Sequence, residues 1–219
     1  GDRRQPELLA RRREDYDCTD SQDVPAGVLW ISAGADTQDD RLEVEFVGWG
    51  AGEESWGLDH VVIEGNPDTP EVWLRLEDQL ARMFVREDGA RLPVSIMLID
   101  SGGHHTTRVY DFARKNRRAR ATVGRSGNRA EVTRPSKQKG GKMTPWVIGV
   151  DQIKAQLLQS RLLVEVVGPR YCHFPDTYSD VWFEQLCPET AATKYQHGVP
   201  YVVWDAGRRR NEALDCRVL

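Results

Sequence analysis

Two neighbouring strand patterns near the beginning of the sequence constrain the fold more than any other feature. Residues 28–36 form an apolar run with β-branched and aromatic side chains, which is typical of a largely buried strand. Residues 42–49 alternate strictly between apolar and polar positions, which predicts a half-buried strand, and the polar residues 38–41 between the two suit a hairpin turn. With a further strand at residues 56–63, these patterns predict a three-strand antiparallel meander.

The rest of the sequence alternates between helix and strand patterns. Thr69 and Pro70 are typical of an N-cap and a first helical residue, and apolar residues at positions 72, 76, 80 and 84 share one face of the helix that follows. Further strands are predicted at residues 93–100, 119–123, 147–150 and 201–204, and further helices at residues 106–116, 151–161, 179–186 and 211–219. The predicted fold class is therefore α/β, with a mixed central sheet.

Basic residues are concentrated in one part of the sequence. The whole chain has a net charge of −4, but residues 108–142 carry twelve Lys or Arg against two acidic residues, so this segment carries +10 and the remainder −14. A basic segment beside an acidic body suits a protein that binds phosphate on one surface and cations on another, although a solvated, mobile loop at residues 124–145 explains part of the same pattern. The candidate DNA contacts are Arg114, Lys115, Arg117, Arg118, Arg120, Arg125, Arg129 and Arg208.

Composition also indicates a compartment and a domain division. No segment approaches the roughly 20 apolar residues of a membrane span, and the arginine-rich beginning does not have the pattern of a signal peptide. The four cysteines are scattered without a C-x-x-C pair, which favours reduced thiols and a cytosolic protein. Residues 1–27 are interpreted as a leader, and residues 28–219 as one domain.

Two aspartates follow predicted buried strands. Asp36 ends the first strand and Asp100 ends the fourth, and carboxylates at the carboxyl ends of adjacent strands meet at one edge of a sheet. Because like charges at close range are costly, such a pair indicates a hard metal ion with oxygen ligands. Asp215 completes the set if the last predicted helix packs against the same edge. Each aspartate taken alone is equally compatible with a turn or a helix cap.

Five segments, in order, resemble a known family. They are AGADTQDDRLEVEFVGWG (33–50), LIDSGGHHTTRVYDFAR (98–114), VIGVDQIKAQLLQSRL (147–162), CHFP (172–175) and NEALDCRVL (211–219). Together they resemble the nuclease half of the large terminase subunit of tailed bacteriophages, in its lambda-like (GpA-type) family. The resemblance extends from about residue 27 to residue 219.

The resemblance implies a ribonuclease H-like fold and a metal-dependent endonuclease that cuts concatemeric double-stranded viral DNA during packaging. It implies two divalent ions, Mg²⁺ or Mn²⁺, held by Asp36, Asp100 and Asp215, with Asp36 as the ligand shared by both ions. It also implies an ATPase motor domain in the same full-length protein, a small terminase subunit, a portal or procapsid as partners, and work in the host cytoplasm. The sequence itself has no P-loop, because the nearest segment, GGKMT at residues 140–144, lacks the first glycine and has Met in place of Ser or Thr. Residues 1–27 are then the remnant of an interdomain linker.

Four further residues are possible accessories of the site. Lys154, in the matched IGVD-x-x-K segment, could stabilise charge at a phosphate, and Asp151 beside it could contribute or could cap its helix. Glu212 lies one helical turn before Asp215 and is either a fourth acidic ligand or a neighbour. His104 could contact phosphate or water, or lie on the surface at a helix start.

Other functional classes remain open on the sequence alone. Resolvase-type and transposase-type nucleases use the same three carboxylates on the same fold. A DNA-binding module that does not cleave could retain both the fold and the basic segment. An actin-like ATP binder shares the fold, but the chain is too short for the two lobes that such proteins need.

Overall fold

The computed structural model describes residues 6–135 and 143–219 as a mixed α/β fold. The strands are β1 (Arg13–Glu14), β2 (Trp30–Thr37), β3 (Arg41–Trp49), β4 (Ser55–Glu64), β5 (Met83–Val85), β6 (Arg91–Asp100), β7 (Ala119–Arg125), β8 (Val132–Thr133), β9 (Trp146–Gly149), β10 (Cys172–Pro175), β11 (Thr190–Gln196) and β12 (Val199–Asp205). The helices are α1 (Pro6–Ala10), α2 (Pro70–Ala81), α3 (Thr106–Lys115), α4 (Val150–Gln159), α5 (Asp180–Leu186) and α6 (Glu212–Val218), with short 3-10 turns at Ala51–Glu53 and Arg161–Leu163.

The central sheet has the order β1-β10-β4-β3-β2-β6-β7-β9-β8, with β5 paired to β6. Strands β2, β3 and β4 are antiparallel neighbours, which confirms the predicted meander. Strands β6, β7 and β9 extend the sheet from β2 in the parallel sense. The α/β class and the ribonuclease H-like arrangement of a meander followed by parallel strands are thus confirmed. Strand β2 is the central strand, with an antiparallel neighbour on one side and a parallel neighbour on the other.

Helices cover both faces of the sheet. One core cluster packs α2 and α3 against side chains that include Ile31 and Phe46, and the other packs α4, α5 and α6 around Phe174 and Phe183. Successive residues of a strand point to opposite faces, so alternate positions of β2 serve the two layers. Ala33 belongs to the first cluster, and the neighbouring Gly34 faces α6.

The described part of the predicted leader packs against this body. Leu9, Cys18 and Val24 are buried, and β1 pairs with β10 in the parallel sense. The guanidinium of Arg12 donates to the Cys172 carbonyl at 2.9 Å. The division of the chain at residue 27 stays a prediction. No helix in the described ranges is long and apolar enough to cross a membrane.

Several local predictions were wrong in informative ways. Phe84 has the helical spacing of the α2 stripe, but α2 ends at Ala81 and Phe84 lies in β5, where its ring packs 5.4 Å from that of Phe46. Asp151 is not an N-cap, because Gly149 has that position in α4. Strand β11 has no counterpart among the predicted strands, and β8 falls within the predicted loop at residues 124–145. Residues 136–142 of that loop lie outside the described residues.

Candidate active site

Asp36 and Asp100 are neighbours at one edge of the sheet. In the parallel pairing of β2 with β6, Ala35 lies opposite Ile99, so the next residue of each strand is one of the two aspartates. Adjacent strands are about 5 Å apart, and in-register side chains share a face. The Thr37 hydroxyl donates to the Asp100 carbonyl at 3.2 Å, which ties the two strand ends together.

Helix α6 can pack closely on β2 at the same edge because the residue of β2 that faces it is Gly34. A Cβ built on Gly34 would lie 2.0 Å from the Cys216 carbonyl oxygen, so only glycine permits this approach. Asp36 is two residues further along β2 and therefore lies on the face that α6 covers. Asp215 precedes Cys216 in α6. Thus three residues distant in the sequence are brought to one place by two strands and a helix.

The pKa values of the three carboxylates are all raised, and burial is the largest cause for each. The pKa of Asp36 is raised to about 7, because burial and, to a smaller extent, the charges of Asp215 and Asp100 outweigh a hydrogen bond from Gln38 that lowers it. Burial likewise raises the pKa of Asp215 to about 6, with Lys154 opposing and Glu189 and Asp100 adding to the rise. The pKa of Asp100 is raised by burial and lowered in part by N–H donors, including that of Gly102. Asp36 thus lies within electrostatic reach of both other aspartates, and Asp215 within reach of Asp100.

A second carboxylate cluster lies beside this one but is neutralised. Glu43 is opposite Asp36 in the β2–β3 pairing, and Arg41 binds both Glu43, at 2.7 Å, and Glu212, at 2.8 Å. Arg210 also binds both glutamates, each at 3.1 Å. Burial raises the pKa of Glu43, but hydrogen bonds from His60 and Arg41 outweigh it and leave the pKa below its ordinary value. Glu212 therefore lies in an ion-pair cluster with Arg41 and Arg210.

Lys154 is a buried ammonium between two carboxylates. Its Nζ lies 2.7 Å from Glu189 Oε1 and 3.6 Å from Asp215 Oδ1. Glu189 lies between α5 and β11, and its side chain is only 4% exposed. Sequence reasoning did not identify it, because it follows a Cys-Pro step outside any periodic segment and no motif marks it.

The two remaining accessory candidates lie in other environments. Asp151 is buried, and its Oδ2 accepts the Gly127 N–H at 2.7 Å, so its side chain holds the loop after β7. The Asp151 carbonyl also accepts the indole N–H of Trp204 in β12, at 3.2 Å. His104 is 85% exposed, with its Nδ1 3.1 Å from Asp39 Oδ1.

The predicted DNA contacts divide between the two ends of the sheet. Thr122 of β7 lies opposite Asp100, and β7 continues to Arg125, about 10 Å beyond the carboxylates. The exposed residues Arg125, Arg129, Arg208, Arg209 and Arg210 lie in β7 and in the segments that follow β7 or precede α6, and we call them the site-edge arginines. Arg114, Lys115, Arg117 and Arg118 lie at the opposite end, where α3 returns to the start of β7, and we call them the far-end basic group.

Two members of the predicted set are engaged with backbone carbonyls. Arg118 donates to the Val94 carbonyl at 2.9 Å, which anchors it at the far end of β6. Arg120 donates to the carbonyls of Arg117 and Ala119, and its guanidinium lies 5.7 Å from the ring centroid of Trp146. The guanidiniums of Arg118 and Arg120 therefore help to stabilise the fold.

The donor set of the three aspartates fits a hard divalent cation. Carboxylate oxygens are the ligands that Mg²⁺ and Mn²⁺ prefer, and Asp36 and Asp100 have no Lys or Arg ion pair in the described ranges. Within the same ranges, no three His, Cys, Asp or Glu side chains are already spaced as ligands of one ion. The three carboxylates therefore lie at the same sheet edge, but in this structure their oxygens are not at the spacing of ligands of one ion.

Comparison with known proteins identifies the family. Residues 1–219 match the family model described as the endonuclease domain of the terminase large subunit gpA. This chain belongs to that family. The resemblance seen in the sequence is confirmed, and the strand ends that carry Asp36 and Asp100 belong to a terminase nuclease domain.

Individual relatives agree with this assignment. The chain is 32% identical over 228 residues to the terminase large subunit of Escherichia phage lambda, covering all of this chain and 35% of that protein. It is 29% identical over 206 residues to the terminase large subunit of Enterobacteria phage P21, covering 89% of this chain and 32% of that protein. The chain thus spans about a third of the length of these relatives.

One solved structure is similar over most of its length. It is a K428A mutant nuclease domain of the large terminase subunit gp2 of bacterial virus Sf6, with manganese. The match has a TM-score of 0.46 and 14% sequence identity, and it covers 88% of each chain.

Proposed function

We propose that this domain is a divalent-cation-dependent endonuclease that hydrolyses phosphodiester bonds of double-stranded DNA concatemers during viral genome packaging. The observation that carries the proposal is the convergence of Asp36, Asp100 and Asp215 at one sheet edge, where burial raises the pKa of all three and neighbouring aspartates raise those of Asp36 and Asp215 further. A cation in their midst would remove that repulsion. The family assignment supplies the reaction class.

Each carboxylate has a distinct role in the proposed site. Asp36 is affected by the charges of both other aspartates, which suits a ligand shared by two ions, while Asp100 and Asp215 would each complete the shell of one ion. Two bound divalent ions would activate the attacking water and stabilise charge on the leaving 3′ oxygen. The Gln38 amide donates to Asp36, and the Gly102 N–H donates to Asp100 at 3.2 Å. These donors fix the orientation of the oxygens.

The DNA backbone is proposed to lie along the site-edge arginines. Arg125 and Arg129 follow the strand next to Asp100, and Arg208 precedes the helix that carries Asp215, so the phosphates on either side of the cut would meet positive charge. Such contacts position the duplex without reading its sequence. Mg²⁺ or Mn²⁺ would serve as cofactor.

The assembly around the domain is proposed from its relatives. Because those large subunits are about three times as long as this chain, an ATPase motor domain in the same protein is expected. A small terminase subunit and the portal of the procapsid would be further partners, in the host cytoplasm. Residues 1–27 would connect the nuclease to the motor.

The test is digestion of supercoiled plasmid with Mg²⁺, with Mn²⁺ or with EDTA. Wild type is compared with Asp36→Asn, Asp100→Asn and Asp215→Asn, and with Asp111→Asn, which removes an exposed carboxylate on α3 as the matched control. We expect cation-dependent nicking or linearisation that each of the first three variants loses by orders of magnitude and the control retains. Cleavage that persists in EDTA, or in a folded Asp36→Asn variant, would overturn the proposal.

A further inference from the structure

We propose that Glu189 is a positioning residue that holds Lys154 away from Asp215, so that Asp215 stays available to a divalent cation. This inference rests on the proposed function, because it assigns Asp215 to the cation site. Glu189 itself is not proposed to touch the cation or the substrate.

The distances show that Lys154 forms its hydrogen-bonded ion pair with Glu189 and not with Asp215. Lys154 Nζ is at hydrogen-bonding distance from Glu189 Oε1, at 2.7 Å, but 3.6 Å from Asp215 Oδ1. The Glu189 side chain is 4% exposed and that of Asp215 is 37% exposed. The ammonium is therefore bound on the buried side of the cluster, and Asp215 faces the open side.

A further contact connects Glu189 to the helix that carries Asp215. The Asn211 side-chain amide donates to Glu189 Oε1 at 3.0 Å, and Asn211 is the N-cap residue of α6. Glu189 Oε1 thus accepts from both the lysine and the residue before α6. This arrangement sets the position of Lys154 relative to the first turn of α6.

The second oxygen of Glu189 takes no part in this link. Oε2 is buried and has no hydrogen-bond partner among the described residues. Glu189 is therefore held through Oε1, which accepts from the ammonium of Lys154 and from the amide of Asn211. A buried ammonium that loses such a partner keeps its charge and is drawn to the next carboxylate within reach.

Competition between cations follows from this geometry. A lysine that loses its carboxylate at 2.7 Å has Asp215 as its remaining ion-pair partner in the described ranges. A divalent cation would then have to displace an ammonium from Asp215 before that carboxylate could bind it. Neutralising Glu189 is therefore expected to weaken cation binding through Lys154.

The experiment measures Mn²⁺ binding to the folded protein in the absence of DNA, by calorimetry or by the paramagnetic resonance signal of free Mn²⁺. The proteins are wild type, Glu189→Gln, Lys154→Met and the double variant Glu189→Gln/Lys154→Met. Glu184→Gln, an exposed carboxylate on α5, is the matched control for the loss of one negative charge. We expect Glu189→Gln to weaken Mn²⁺ binding about tenfold or more, in the range known for residues that orient metal ligands. In the Lys154→Met background the same substitution should change binding less than threefold, and the control should bind as wild type.

The outcomes separate the possibilities. An equal loss in both backgrounds would overturn the inference, because Glu189 would then act as a direct ligand or only through the fold. Unchanged binding by a folded Glu189→Gln variant would overturn it as well. If that variant fails to fold, Asn211→Ala tests the same link, with a smaller loss of affinity expected and no loss contradicting the inference. Wild type that binds no Mn²⁺ would instead contradict the proposed function.

Discussion

Asp36 and Glu43 lie opposite each other on neighbouring strands, yet they belong to clusters of opposite character. Glu43 and Glu212 are bound by Arg41 and Arg210, and the pKa of Glu43 lies below its ordinary value. Asp36 has a neutral amide as its hydrogen-bond donor and two further carboxylates nearby, and its pKa is raised to about 7. Both side chains are almost fully buried.

The difference teaches how to separate structural from functional acids in a single sheet. A buried carboxylate with its own guanidinium stabilises the fold, and its removal leaves an unpaired charge behind. A buried carboxylate without one destabilises the fold until a mobile cation arrives. Asp36 and Asp100, which have no Lys or Arg ion pair in the described ranges, are therefore assigned to the cation site. Asp215 joins them because Lys154 lies closer to Glu189 than to Asp215.

The largest expected effect comes from replacing one carboxylate of each cluster by its amide, in two separate variants. Asp36→Asn should abolish cleavage and at the same time raise the melting temperature of the metal-free protein, because it removes a buried, repelled charge. Glu43→Gln should instead destabilise the protein, by about 3–5 kcal/mol, because it leaves buried guanidinium groups without their partner. Plasmid cleavage and thermal denaturation in EDTA, measured on both variants, check this. The comparison breaks if both variants shift the melting temperature in the same direction.

The next effect concerns the approach of α6. Gly34→Ala places a methyl group 2.0 Å from the Cys216 carbonyl oxygen, so α6 must move. We expect about 1–3 kcal/mol of lost stability and a large loss of Mn²⁺ affinity, since Asp215 moves with the helix. Gly103→Ala is the control for stability, because its Cβ would meet only the Thr37 carbonyl oxygen, at 4.0 Å. Gly34→Ala with wild-type Mn²⁺ affinity would show that Asp215 does not belong with Asp36.

A third effect distinguishes the two basic regions. Arg125→Gln/Arg129→Gln/Arg208→Gln should weaken DNA binding and reduce the slope of log affinity against log salt by about one for each lost phosphate contact. Arg114→Gln/Lys115→Gln/Arg117→Gln removes the same charge from the far-end basic group and should change the slope much less. Fluorescence anisotropy with a short duplex across a salt series measures both. Equal salt slopes for the two triple variants would mean that both basic regions contact DNA, which would contradict the assignment of the duplex to the site-edge arginines.

The smallest effect is a pH dependence of stability. In the metal-free protein the pKa of Asp36 is about 7 and that of Asp215 about 6, against an ordinary value of 3.8 for each. The folded state therefore binds more protons than the unfolded state between about pH 4 and pH 7, and stability should fall as the pH rises through that range. Mn²⁺ should stabilise the protein more at pH 7.5 than at pH 5, because protonated carboxylates bind cations poorly. Melting temperatures of wild type and Asp36→Asn at both pH values measure this, and a slope unaffected by Asp36→Asn would contradict it.

Much of the fold was predictable because its strands have clear periodicity. The meander, the buried strand ending in Asp100 and the helix at Thr106–Lys115 follow from local patterns that the structure retains. Phe84 shows the limit of the method. It continues a helical stripe by spacing alone, but it lies in β5, opposite Leu92 of β6, where its ring packs against that of Phe46, which is distant in the sequence.

The candidate site was predictable to the extent that its residues end secondary structure elements. Asp36 and Asp100 were identified from strand ends alone, whereas Asp215 needed the family resemblance. Glu189 could not be predicted, because its role depends on where Lys154 and Asn211 lie in space. The far-end basic group has the same composition as the site-edge arginines, so only the parallel register of β6 and β7 separates them.

The contact between Gly34 and α6 also has a consequence for timing. Asp36 lies in β2 and Asp215 in α6, so the acidic trio can form only after the chain between them has been made and α6 has packed on β2. Pairings between such distant segments are the slow events of folding. A chain that is still being made or is only partly folded would therefore lack the complete acidic trio, and the proposed cleavage would require the folded domain.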